Sequence, residues 1–84
     1  MAKQGQKLWM LRTSPHNEEV IWTIARSEGD LKKIAVAYIH EYFFEVKFIE
    51  GMVDWKHKVV EVKYGESSED VSEKTFYISE VEFA

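Results

Sequence analysis

Apolar positions recur every second residue near both ends of the chain and every three to four residues in the middle. Leu8-Trp9-Met10-Leu11-Arg12-Thr13 and Val20-Ile21-Trp22-Thr23-Ile24-Ala25 are β-branched and aromatic runs around Ser14-Pro15-His16-Asn17-Glu18-Glu19. Proline presets φ for a turn and asparagine tolerates the left-handed region, so the pair reads as a hairpin with a loop of moderate length. Both runs are apolar on both alternating faces, as in strands central to a sheet or covered by a second copy.

After Arg26 the period changes. Leu31, Ile34, Ala35, Tyr38, Ile39 and Tyr42 form a single helical stripe, which predicts an α-helix over about 30 to 43. Ser27 and Asp30 are its N-cap candidates. A third strand is expected from Phe44 to near Gly51, a fourth around Val59 to Tyr64, and a fifth from Lys74 to Phe83. The fold class is therefore α+β: a five-stranded antiparallel sheet with one helix packed on one face, in the order ββαβββ. Residues 1–84 are read as a single domain, with a frayed terminus over 1–6 and an acidic loop over 65–73 between the last two strands.

One helix covers only one face of a sheet, and three Trp, four Tyr and five Phe are more aromatic surface than one helix hides. Trp9, Leu11, Ile21, Ile49 and Phe76 or Ile78 are the candidates for the uncovered face, where they would drive dimerisation or partner binding.

Charge adds an asymmetry. The net charge is −4, yet residues 1–64 are almost balanced, whereas residues 65–84 carry Glu66, Glu69, Asp70, Glu73, Glu80 and Glu82 against the single Lys74. Such a field repels nucleic acid and favours basic partners. The acidic residues are accordingly candidates for contacting a basic protein surface, and Trp55, among Lys56, His57 and Lys58, is a candidate anchor. The plainer reading makes the acidic segment a solvated connection and Trp55 a cap on the core.

Catalytic and metal chemistry find little footing. There is no cysteine, so no disulfide or thiolate site forms. His40-Glu41 lacks the second histidine one turn on, because position 44 is Phe. No serine sits in a Gly-x-Ser-x-Gly elbow, and the four glycines are scattered. No catalytic, cofactor or metal site is assigned, and the protein is expected not to be an enzyme. The apolar run Leu8 to Leu11 is too short for a signal core or a membrane span, which gives a cytoplasmic expectation.

The functional expectation is a small protein-binding module. Size and charge alone associate it with acidic inhibitors of host or cellular enzymes encoded by phages and mobile elements. Two alternatives stay open. One is a small-ligand-binding or enzyme-accessory domain with a pocket of Trp22, Tyr38, Tyr42 and Trp55; the other is single-strand nucleic-acid binding through Trp55 with Lys47, Lys56, Lys58 and Lys63.

Overall fold

A computed structural model describes residues 7–14 and 19–81. The frayed terminus expected over 1–6, most of the first loop and Glu82 lie outside these residues. The chain runs β1 (Leu8–Arg12), β2 (Val20–Ala25), α1 (Glu28–Tyr42), β3 (Phe48–Asp54), β4 (Val59–Ser67) and β5 (Asp70–Val81). All pairings are antiparallel and the strand order is β2-β1-β5-β4-β3, with α1 across one face. The α+β class and the ββαβββ order are as the periodicity predicts.

Helix α1 starts where its local chemistry stops the preceding strand. Ser27, in extended conformation, accepts a hydrogen bond from the Asp30 amide through Oγ at 3.2 Å. Asp30 in turn accepts from the Arg26 amide at 3.0 Å, so two amides at the helix entrance are satisfied locally. Glu28 and Asp30 lie at the positive end of the helix dipole. The last turn closes with the Phe43 amide donating to the Ile39 carbonyl at 2.9 Å. Phe44 and Glu45 then turn the chain, with Glu45 at φ 59°, and β3 begins only at Phe48. The expected strand start at Phe44 is therefore four residues early: Phe44 is 92% exposed and belongs to the connection.

The fully buried core lies between α1 and one sheet face, and Val59, 8% exposed, is a buried residue of the other face. Leu31, Ala35 and Ile39 of the helix meet Leu11, Ala25, Val60, Val62 and Phe76 of the sheet, all fully buried. Gly51 sits where a side chain would touch Lys32 and Val36, so β3 runs close beneath the helix. Trp9, Ile21, Ile49 and Ile78 pack against this cluster, while Leu11 and Phe76 are inside it. The residues expected on the uncovered face thus lie under the helix. Period two sorts a strand into two sets; where both are apolar it does not say which set the helix takes.

The expected loop over 65–73 is largely strand. Tyr64 stands opposite Ser72, Gly65 opposite Val71 and Ser67 opposite Asp70, leaving only Ser68-Glu69 as the turn. A register shift between Gly65 and Ser67 absorbs the extra residue. Backbone pairing prevails over side-chain polarity here because exposed hairpin residues lose little hydration by pairing.

Candidate functional site

The register defines the face that α1 leaves uncovered. Crossing the sheet, one row reads Val20, Arg12, Tyr77, Val59, Asp54, and the row beside it Met10 and Ser79, followed by Leu8 and Val81. Ile21 and Ala25 pack toward the core and Thr23 lines the helix-side groove with Ile21, so across the register shift against β1 Trp22 and Ile24 take the opposite side, at the outer strand of this face. Trp22 is 81% exposed and Ile24 41%. Within the row, Arg12 donates from Nε to Ser79 Oγ at 2.9 Å, which fixes its guanidinium among the apolar groups.

Toward the other end the same face becomes polar. Thr75, Glu61 and Met52 form one row, and Glu73, Lys63 and Glu50 the next, with charges alternating across three strands. Lys63, one of the lysines considered for nucleic-acid binding, stands between Glu73 and Glu50. Val71 and Phe48 flank Gly65 beyond them. Of the seven large hydrophobic side chains that are markedly exposed among the described residues, four (Trp22, Ile24, Met52 and Val71) belong to this face. The open face is therefore an apolar region at β2-β1 joined to a charged ladder at β3-β4-β5.

The structure separates the acidic candidates. Glu66, Glu69, Asp70 and Glu73 gather at the β4-β5 tip, all exposed, with the Glu69 amide donating to Ser67 Oγ at 3.3 Å. Glu80 lies near the far end of β5, roughly 23 Å from Glu73 at strand rise, with Lys7 Nζ 3.8 Å from its carboxylate. These residues do not make one continuous acidic face.

Trp55 belongs to the β3-β4 turn, at the end of the sheet away from the acidic tip. Asp54 organises this turn: its Oδ1 accepts from the Lys56 and His57 amides at 3.0 and 3.2 Å, and its Oδ2 lies 2.7 Å from His57 Nδ1. The chain re-enters β4 through Lys58 at φ 56°, a left-handed conformation uncommon for a lysine. Trp55 then folds back onto Trp9, with ring centroids 5.1 Å apart and planes at 55°, and donates from Nε1 to Glu28 at 2.9 Å. With Lys7, Lys58, Ile78 and Glu80 the two indoles line a cleft of about 280 Å³. The pocket expected from Trp22, Tyr38, Tyr42 and Trp55 does not form. Trp22 is on the open face and Trp55 at the sheet end, while Tyr38 and Tyr42 touch each other on the helix at 4.5 Å.

Hydrogen bonding from His57, first from its ring and then from its amide, holds the Asp54 carboxyl below its ordinary 3.8. A depressed carboxylate stabilises the turn above the unfolded value and loses that contribution as pH falls through the lower, folded value. A carboxyl-carbon NMR titration should accordingly place the Asp54 midpoint under 3.8, and His57→Ala should move it back up. An unshifted midpoint in the parent protein would show the turn to be open in solution.

Sequence reasoning missed Trp9 as the partner of Trp55, because the two lie in different hairpins and only the β1-β5-β4 pairing brings them together. It also missed a groove between β2 and α1, lined by Ile21, Thr23, Lys33, Ile34, Ala37, Tyr38 and Glu41. Among the described residues no group of three imidazole or carboxylate side chains could hold a metal ion, and no helix is long and apolar enough to cross a membrane.

No family model, curated protein or solved structure matches this chain.

Proposed function

We propose that the chain is a small protein-binding module that works through the sheet face opposite its helix. The observation that carries this reading is Trp22, 81% exposed beside Ile24 on a face that already holds Met10, Leu8, Tyr77 and Val81. A tryptophan exposed at a sheet margin is costly to hydrate and is the side chain that most often anchors an interface. Arg12, held by Ser79, supplies a fixed polar group within the apolar region, and the Glu73-Lys63-Glu50 ladder supplies a charged margin. The matching partner presents an apolar patch with basic groups toward the acidic β4-β5 tip. Inhibition of an enzyme is one use of such a surface, and a second copy is one occupant.

The test is capture of a partner from a native lysate, with light scattering of the purified protein run in parallel. Trp22→Glu should leave the melting temperature within a few degrees, because the side chain is exposed, and should abolish capture or dissociate a homodimer. Neutralising Glu66, Glu69, Asp70 and Glu73 together should weaken capture less and reduce its salt dependence. Capture and oligomeric state that survive both Trp22→Glu and Ile24→Glu would remove the open face from the account.

A second reading has its own observation, the Trp9-Trp55 cleft, whose two indoles, with Lys58 beside the Lys7–Glu80 ion pair, suit a planar ligand. Trp55→Ala would distinguish the two readings, since it leaves the open face intact.

A further inference from the structure

Strand β2 is an outer strand of the sheet, paired on one side with β1 and, among the described residues, with no strand on the other. Its six residues, Val-Ile-Trp-Thr-Ile-Ala, carry no charge and no proline, two of the usual protections of an exposed edge, and its one irregularity is a register shift against β1 between Ile21 and Ala25. Beside that edge, on the helix side, Ile21 and Thr23 of β2 face Lys33, Ile34, Ala37, Tyr38 and Glu41 of α1 across a groove of about 230 Å³. A free strand edge next to a mostly apolar groove is the arrangement by which an extended peptide joins a sheet: the edge supplies main-chain hydrogen bonds, and the groove takes alternate side chains.

The ends of the groove differ in charge. Because α1 follows β2 after a short connection and runs back along it, Lys33 lies toward the Ala25 end of β2 and Glu41 toward the Val20 end. Glu19 joins Glu41 at the latter end, since both carboxylates act on the Tyr38 phenol, whose pKa is raised first by burial and then by Glu19. Ala37 lies between Lys33 and Glu41 on the helix, and its small side chain keeps the middle of the groove open.

We propose that the groove between β2 and α1 binds an extended peptide segment of another protein that adds antiparallel to β2 and carries an acidic, an apolar and a basic side chain at positions i, i+2 and i+4. The spacing follows from geometry. Lys33 and Glu41 are eight helical residues apart, about 12 Å along the axis, and four strand residues span about 13 Å. An antiparallel segment enters at the Ala25 end, so its acidic residue meets Lys33, its apolar residue covers Ala37, and its basic residue reaches Glu41 and Glu19. The inference rests on the protein-binding reading for the class of partner and not for the surface, because Trp22 points to the other face.

The experiment uses fluorescence anisotropy with two labelled peptides capped at both ends, one containing Glu-Thr-Val-Thr-Arg and one the reversed-charge Arg-Thr-Val-Thr-Glu. The parent protein should bind the first at least about tenfold more tightly. The double variant Lys33→Glu with Glu41→Lys should lose that preference or invert it, and Ala37→Trp, an exposed helical position, should bind neither while keeping its helical circular dichroism. Backbone amides of β2 should shift on titration. Equal affinity for the two peptides, a preference unchanged in the double variant, or binding to neither peptide would overturn the proposal. The two surfaces separate cleanly: a lysate partner lost with Trp22→Glu but kept with Ala37→Trp supports the open face and counts against the groove, and the opposite pattern does the reverse.

Discussion

Phe76→Ala is expected to cost about 3–5 kcal/mol of folding stability, as the truncation of a fully buried aromatic side chain does. Phe76 lies on β5, the middle strand of the sheet, directly opposite Val60, and Tyr38 of the helix meets its ring edge-on at 5.3 Å. Lys74 Nζ stands 5.7 Å from the ring centroid. Removing the ring therefore opens a void between helix and sheet, surrounded by backbone that is pinned by strands on both sides and cannot collapse into it. For a domain of this size a loss of that magnitude lowers the melting temperature by roughly 15 °C or more, and it is a large part of the total stability of a small protein. Urea denaturation followed by tryptophan fluorescence is the direct measurement. A loss below about 1 kcal/mol would mean that the helix does not pack on this face of β5.

The second large effect is expected at Gly65, and it has a backbone cause. A Cβ placed there would run into the Asp70 carbonyl oxygen, with the Asp70 carbonyl carbon and Val71 Cα each 3.1 Å away. All three obstacles are main chain, so no rotamer change relieves the clash, and the two strands of the tip must separate. Gly65→Ala should cost about 2–3 kcal/mol and should show faster amide exchange in residues 66–72 than elsewhere. Gly29→Ala is the control. The nearest atom to its added Cβ is Ser27 Oγ at 3.8 Å, and alanine is the better helix former, so stability should hold or rise by up to about 1 kcal/mol. If Gly65→Ala behaved like Gly29→Ala, the hairpin register around the bulge would be wrong.

These two positions also show what could be read from the chain. The helix was legible because its stripe needs only local spacing: Leu31, Ala35 and Ile39, three turns of one face, are the residues it buries. The number of strands and the succession of elements along the chain were legible for the same reason, whereas a simple meander was expected of the sheet and β1 pairs with β5 instead. The face assignment was not, since Trp9, Leu11 and Ile21 alternate with Leu8, Met10 and Trp22, and both sets are apolar. The choice between them is made by the pairing of β1 with β5 and by the helix, neither of which has a local signature. Gly65 carried a signal that composition obscured. Placed at the head of an acidic run it reads as a loop opener, whereas its role is to let two paired backbones approach. Of the candidate residues, Glu66, Glu69, Asp70 and Glu73 lie together because they are neighbours in sequence, Glu80 lies apart from them, and Trp55 packs within the chain on Trp9, a contact with no local signature.

The pairing of β1 with β5 has a consequence for how fast the sheet assembles. The β3-β4-β5 meander joins segments that are neighbours in sequence, but the Arg12 to Ser79 hydrogen bond closes a loop of 67 residues. Chain entropy must be spent on that closure before burial of Leu11 against the helix rewards it, and antiparallel sheets with such distant partners fold over milliseconds to seconds rather than microseconds. In that interval the inner edge of β5 stands unpaired beside the meander, offering a second chain the place that β1 will take. Refolding at rising protein concentration is therefore expected to raise the share of strand-exchanged species, as size-exclusion chromatography of the refolded protein would read.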